Sequence, residues 1–155
     1  MQIKIKVNKT ISKLSIIVLL SPIFCQVLIN EYSASNLSWY TDNYQLEEDW
    51  IELYNTGSTE EDIGGYFLSD DPDEPAKWMI PGGTVISADG YLVFWCSGRD
   101  EYSDNNYHTN FKLKQSKNNP DHVVFSDPYG SIIDDFEMFK TQLNHSMGRS
   151  PNGSE

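Results

Sequence analysis

Carboxylates are the most abundant chemically active groups in this sequence, and the densest group is the run Asp70-Asp71-Pro72-Asp73-Glu74. Carboxylate and carbonyl oxygens on a flexible loop are the ligands that Ca²⁺ prefers. The run lacks the EF-hand pattern, which has a glycine at its sixth position and a glutamate at its twelfth. The two prolines, Pro72 and Pro75, equally fit a stiff acidic turn. Calcium binding is therefore kept as an alternative to a solvated turn.

The three histidines, His108, His122 and His145, stand apart from one another and from cysteines. None has the spacing of a zinc site, and the chain contains neither a Gly-x-Ser-x-Gly motif nor a phosphate-binding glycine loop before a helix. We therefore expect no catalytic, metal-binding or cofactor-binding residue, and histidines at the surface or rim. A metal-assisted secreted hydrolase built on the acidic loops remains the alternative, because sequence cannot place two carboxylates around a cleft.

Two further residues suggest a role from their surroundings. Cys96 closes the apolar run 91–96, which favours an inert buried thiol over a reactive one. Arg149 and Arg99 are the only arginines, against 23 acidic residues. Arg149 is therefore predicted to form a bidentate ion pair with a carboxylate of the domain; the alternative is a solvated residue in a polar tail.

Residues 1–25 have the pattern of a signal peptide. Four lysines precede the short apolar run 14–20, and a polar chain follows it. That run is too short to span a membrane, so we expect a secreted or cell-surface protein, with cleavage after Cys25 or Gln26; a first buried strand or helix is the alternative. Cleavage would remove four lysines and no acidic residue, and would change the charge from −12 to −16. Such a charge repels nucleic acid and suits a cationic partner or calcium.

The rest of the chain has the pattern of strands and turns. Short runs rich in valine, isoleucine and aromatic residues are separated by glycine, proline, asparagine and aspartate, with no helical periodicity. We predict about eight short strands in an antiparallel β-sandwich or barrel. The nine runs that supply them lie at residues 27–32, 49–54, 63–68, 77–80, 84–86, 91–96, 109–113, 123–125 and 132–136. Residues 33–47 and 99–107 are predicted to be loops, and residues 127–130 a hairpin turn.

For two predicted strands, the sequence indicates which side chains face the core. In the strand at 49–54, Ile51 and Leu53 share one side and are predicted to face the core, while Trp50, Glu52 and Tyr54 share the other. The run 91–96 is the most apolar and is predicted to be central and buried on both faces.

The ordered set of segments resembles the lamin tail domain in its bacterial, secreted form. The segments are LINE (28–31), ASN (34–36), DWIELYN (49–55), IGGYFLSD (63–70), KWMIP (77–81), GYLVF (90–94), HTNFKL (108–113) and DPYG (127–130), and Gly148-Arg149 continues the series. The resemblance covers nearly all of residues 26–155. It implies an immunoglobulin-like sandwich without a catalytic site, which serves adhesion or tethering to a protein or glycan at the cell surface.

The resemblance also implies a longer polypeptide. Related domains continue past the segment at 151–154 into a further strand, whereas this chain ends at Glu155. Either the C-terminal closing strand is missing or the chain is the N-terminal part of a larger secreted protein with further domains. The second is favoured because an unpaired edge strand promotes association.

The aromatic residues supply the candidate contact surface. Trp50, Tyr54, Trp78 and Trp95 are predicted to divide between the core and an exposed face. An aromatic patch left exposed beside Tyr40 or Tyr44 is the first candidate for partner binding.

Overall fold

The computed structural model describes residues 26–115 and 120–154. The predicted signal peptide at residues 1–25 lies outside the described part, so it stays a prediction. The described residues contain strands and no helix. In chain order the strands are β1 (Val27–Ser33), β2 (Trp50–Asn55), β3 (Glu61–Asp62), β4 (Phe67–Ser69), β5 (Trp78–Met79), β6 (Val85–Ile86), β7 (Tyr91–Trp95), β8 (Glu101–Ser103), β9 (Asn106–His108), β10 (His122–Ser126), β11 (Ile132–Glu137) and β12 (Met147–Gly148).

These strands form two packed sheets and one small ribbon. The larger sheet has the order β12-β1-β2-β7-β9-β8, the second has the order β11-β10-β4-β5, and β3 pairs with β6. All pairs are antiparallel except β7 with β9. The predicted all-β, immunoglobulin-like sandwich is confirmed. Within residues 26–115 and 120–154, no helix is long and apolar enough to cross a membrane.

The core lies between the two large sheets. Ile51 and Leu53 of β2 are fully buried, while Trp50, Glu52 and Tyr54 are half-buried on the other side, so the predicted faces of this strand are confirmed. The second sheet contributes Leu68, Val123 and Phe125, and the Phe125 ring stacks on Tyr66 with centroids 5.5 Å apart. Burial of these side chains is the main term that stabilises the fold.

The run 91–96 is central but not buried on both faces throughout. Its strand β7 lies between β2 and β9, as predicted for a central strand. Tyr91 is exposed and Leu92 and Val93 are half-buried, whereas Phe94, Trp95 and Cys96 are buried. The prediction is wrong for the first half of the strand, where Tyr91 remains exposed although its ring stacks on Tyr54 with centroids 4.6 Å apart.

The segment around residue 105 differs from the prediction. Residues 99–107 contain β8 and most of β9, joined by Asp104 and Asn105, whose φ angles are 48° and 61°. Two residues with positive φ form the type I′ turn of tight hairpins. Residues 109–113 are not a strand. Phe111 and Leu113 are buried and Lys112 is exposed, so the alternating pattern indicates which side chains face the core without indicating a hydrogen-bonded ladder.

The predicted hairpin turn at 127–130 joins β10 to β11 and is confirmed. Asp127 Oδ1 accepts hydrogen bonds from the amides of Tyr129 and Ser131, both at 2.8 Å. Gly130 has a φ of +80°, which glycine adopts without strain. The local sequence therefore determines the connection between these two strands.

Arg149 joins the two sheets. Its guanidinium binds Asp134 of β11 through two hydrogen bonds, of 2.6 and 3.0 Å, and also donates to the carbonyl of Ile29 in β1. The pairing of β1 with β2 shifts between Ile29 and Glu31, and Asp134 accepts a hydrogen bond from the Ile29 amide at 2.8 Å. The predicted bidentate ion pair is confirmed, and it satisfies backbone groups next to the irregularity.

Candidate functional site: an aromatic groove on the larger sheet

A groove of about 510 Å³ lies on the outer face of the larger sheet. We call it the aromatic groove. It is lined by Trp39 and Tyr40 of the loop before β2, by Glu31, Ser33, Trp50, Glu52 and Val93 of the sheet, and by Asn36, Asn144, His145 and Ser146.

Strand register builds the floor of the groove. Glu31 of β1 lies opposite Glu52 of β2, and Glu52 lies opposite Val93 of β7. In the next row, Trp50 lies opposite Trp95. Because alternate residues of a strand face the same side, Trp50 and Glu52 of the outward set predicted for β2 both contribute to the groove floor, whereas Tyr54 of that set does not line the groove.

The four aromatic side chains Trp50, Tyr54, Trp78 and Trp95 divide between buried and half-buried positions, so the predicted division between core and exposed face is found only in part. Trp78 and Trp95 are buried, whereas Trp50 and Tyr54 are half-buried. Tyr40 covers Trp95, with ring centroids 5.2 Å apart, and lies 6.3 Å from the ring of Trp50. The exposed aromatic patch predicted beside Tyr40 or Tyr44 is therefore found beside Tyr40.

Asn36 holds the loop that carries Trp39 and Tyr40. Its side-chain amide donates to the carbonyls of Tyr40 at 2.6 Å and of Glu48 at 2.9 Å, and its oxygen accepts from the Tyr40 amide at 3.2 Å. This side chain is buried, so these bonds form away from competing water. The loop is therefore fixed over the sheet without being a strand.

Asn144 ties this loop to the segment before β12. Its Oδ1 accepts from the amides of Leu37 at 2.7 Å and Ser38 at 3.0 Å, and its Nδ2 donates to the Ser38 hydroxyl at 2.9 Å. Asn144 has a φ of 58°, a conformation that asparagine tolerates better than most residues. The two loops that line the groove are thus held together.

Arg99 anchors the other end of the same loop. Its Nη1 lies 3.7 Å from Asp42 and 3.6 Å from Glu48, and its guanidinium lies 4.6 Å from the centre of the Tyr44 ring. Tyr44 also packs against His108, with centroids 5.6 Å apart. Tyr44 therefore serves the anchoring of the loop and does not line the groove.

The groove and its border hold carboxyl groups in partly buried surroundings. Burial and the nearby Glu31 raise the pKa of Glu52, against the hydrogen bond that Asn30 donates to it at 2.9 Å. Burial raises the pKa of Asp49, which lies just before β2, to about 6, and Glu48 adds to this effect, while the amide of Asn36 opposes it. Both groups favour their protonated form more than a solvated carboxyl does.

Asp49 gives a prediction about pH. Its pKa is about 6 in the folded chain and about 3.9 in an unfolded one, so the folded chain binds the proton more tightly and the stability falls as the pH rises from about 4 to 6. We expect Asp49→Asn to remove this fall and to be more stable than the parent chain at pH 7. Thermal unfolding measured at several pH values checks this. Glu60→Gln, on an exposed loop, is the control, and an unchanged pH slope in Asp49→Asn would contradict the assignment.

The acidic run at 70–74 is engaged in local contacts. Lys77 Nζ lies 2.6 Å from Asp70, and Asp71 Oδ1 accepts a hydrogen bond from the Asp73 amide at 2.9 Å. A hollow of about 430 Å³ lies beside it, lined in part by Lys77, Lys114 and Asp121. No group of three or more His, Cys, Asp or Glu side chains that could hold a metal ion occurs among residues 26–115 and 120–154. Calcium binding at this run stays a prediction.

The histidine prediction is wrong for His108, which is fully buried. Its ring bonds Ser97 at 3.0 Å and Asn43 at 2.8 Å, and burial lowers its pKa. His122 pairs with Asp135 at 2.7 Å, and His145 is exposed at the groove. The sequence could not place His108 because it ends strand β9, and the other residues of β9 lie in the segment 99–107 that we expected to be a loop.

Cys96 is buried as a free thiol, as predicted, and burial raises its pKa well above the ordinary value.

Trp39 is the residue that sequence reasoning missed. It is 80 % exposed, more than the neighbouring Tyr40 at 48 %. The signal that could have found it is a tryptophan inside a segment predicted to be a loop, because such a side chain has no strand to carry it into the core.

The family comparison agrees with the fold. A model of the lamin tail domain matches residues 24–140. No curated protein matches the chain.

Proposed function

Because this chain belongs to the lamin tail domain family, we propose that it is a non-catalytic interaction module. The module is exported to the cell surface or beyond it, is joined to further domains, and contacts a protein or glycan through the aromatic groove. Export is supported by the signal-peptide pattern at residues 1–25. An immunoglobulin-like sandwich can present such contact surfaces, and its function depends on the site that it carries.

The exposure of Trp39 is the observation that carries the proposal. Its side chain lies in water beside Tyr40 and the half-buried Trp50, at a groove with polar residues around it. A large aromatic side chain that stays in water does not gain the favourable free energy that burial of its apolar surface would give. Exposed apolar patches with polar rims mark contact sites, and tryptophan and tyrosine are among the residues that contribute most to binding.

The test is binding of the labelled chain to intact cells of the organism that encodes it. We expect saturable binding that Trp39→Ala weakens strongly and Tyr129→Ala leaves unchanged. Tyr129 is the matched control because it is an aromatic residue that is 93 % exposed and lies on the β10–β11 turn. Protease treatment of the cells removes binding to a protein, and glycosidase treatment removes binding to a glycan.

Three results would contradict the proposal. They are absence of saturable binding, equal loss of binding in Trp39→Ala and Tyr129→Ala, and release of soluble sugar or peptide from the cells by the purified chain. The last result would favour the hydrolase alternative.

A further inference from the structure

We propose that the aromatic groove takes a cationic segment of a partner protein, with a lysine or arginine side chain seated over Glu31 and Glu52 and against the aromatic rings. This inference rests on the proposed function and names its partner by charge. It follows from two carboxylates on the groove floor that repel each other when no partner is bound.

Glu31 and Glu52 are directly opposite each other on neighbouring strands and face the same groove. Like charges at directly opposed positions of a sheet repel and destabilise it. Gly148 of β12 lies opposite Glu31 on the other side, and a side chain there would come within 3.0 Å of the Glu31 Cγ atom. The Glu31 side chain is therefore confined between a glycine and a second carboxylate.

The basic side chain that lines the groove is His145, whose ring bonds the carbonyl of Leu143 at 3.0 Å. Neither Glu31 nor Glu52 takes part in the ion pairs that the structure shows among residues 26–115 and 120–154. The polar partner of Glu52 is the neutral amide of Asn30, at 2.9 Å. The raised pKa of Glu52 has burial and the proximity of Glu31 among its causes, which agrees with a site whose negative charge is poorly compensated.

The aromatic residues of the groove complete a site for a cation on a flexible stem. A lysine or arginine side chain has an apolar stem that packs on aromatic rings and a charged end that binds carboxylates. Tryptophan and tyrosine faces also attract cations directly. Trp39, Tyr40 and Trp50 supply rings beside the two carboxylates, so one side chain can use both kinds of contact.

Charge favours this occupant over a glycan. Neutral sugars also stack on aromatic rings, but they leave the two carboxylates unbalanced, and the anionic sugars are repelled. The whole chain carries −12, which steers a basic protein segment toward the groove and repels acidic ones.

The experiment is calorimetric titration of the full chain with a capped peptide that has lysines at alternating positions, with its glutamine analogue as the neutral probe. We expect binding of the lysine peptide, weaker binding at higher salt, and a loss of about fivefold to tenfold in affinity in Glu31→Gln and in Glu52→Gln. Glu74→Gln removes one negative charge from the other sheet's acidic run and should keep the affinity of the parent chain.

Thermal unfolding of the same variants separates a binding role from a structural one. Relief of repulsion should leave the melting temperature of Glu31→Gln unchanged or raised while the affinity falls. Equal binding of both peptides, or no effect of either glutamate on binding, would overturn the cationic assignment. So would a saturable rise in melting temperature with calcium chloride that both glutamate variants abolish. If Trp39→Ala still weakens cell binding in those cases, the interaction module stands and only its cationic partner is wrong.

Discussion

Asp134→Ala is expected to lower the free energy of unfolding by about 3–5 kcal/mol, because it removes one partner of a largely buried ion pair. The Arg149 and Asp134 side chains are only 13 % and 10 % exposed. Loss of Asp134 leaves the guanidinium without its carboxylate and the Ile29 amide without its acceptor. The guanidinium keeps its hydrogen bond to the Ile29 carbonyl but loses its counter-charge, and the Ile29 amide carries the cost of desolvation without an acceptor. Denaturant unfolding of the purified chain measures the change.

Asp135→Ala is the control for this prediction. Asp135 is the next residue in β11 and pairs with His122 at 2.7 Å, but its side chain is 37 % exposed. Pairs in such surroundings contribute about 0–1 kcal/mol. If Asp134→Ala changed stability no more than Asp135→Ala does, the joining of the two sheets by Arg149 would not contribute to stability.

Phe125→Ala is expected to lower the free energy of unfolding by about 3–5 kcal/mol, which is the usual cost of a large cavity in a packed core. Phe125 of β10 is fully buried and stacks on Tyr66. Its strand pairs with both β11 and β4. The surrounding side chains therefore have little freedom to fill the space. Thermal and denaturant unfolding check the prediction.

Tyr129→Ala, four residues further along the chain, should change stability by no more than about 0.5 kcal/mol because the residue is exposed. If Phe125→Ala does not fold, Phe125→Leu keeps most of the volume and should cost about 0.5–1.5 kcal/mol. A cost for Phe125→Leu no larger than that of Tyr129→Ala would contradict the placement of this ring in the core.

The sequence was sufficient for the sandwich because its longer strands are marked by short apolar runs between turn residues, and β2 also by a period of two. Ile51 and Leu53 alternate with Trp50, Glu52 and Tyr54, and burial follows this alternation. The turn at 127–130 is encoded by side chains that bond within it. The pairing of Arg149 with a carboxylate was predictable from the scarcity of arginine, although the identity of Asp134 was not.

Other features depend on contacts between distant segments, which local patterns do not report. β8 and β9 are short and polar, and β9 obtains its place by pairing with β7 in parallel. Burial of His108 follows from that pairing. The aromatic groove needs Asn144 to bond residues 37 and 38, more than 100 positions earlier. The prediction could therefore name Tyr40 as a neighbour of the site but could not position Trp39.

The joining of the sheets by Arg149 has a consequence for where this domain ends. The family match stops at residue 140, yet Asn144, β12 and Arg149 all lie beyond it. The Gly153 amide also donates to Asn30 at 3.1 Å. A shortened gene product that stops at the family boundary would lack the ion pair, one strand and part of the groove, so any recombinant version meant to fold and bind should extend through Gly153.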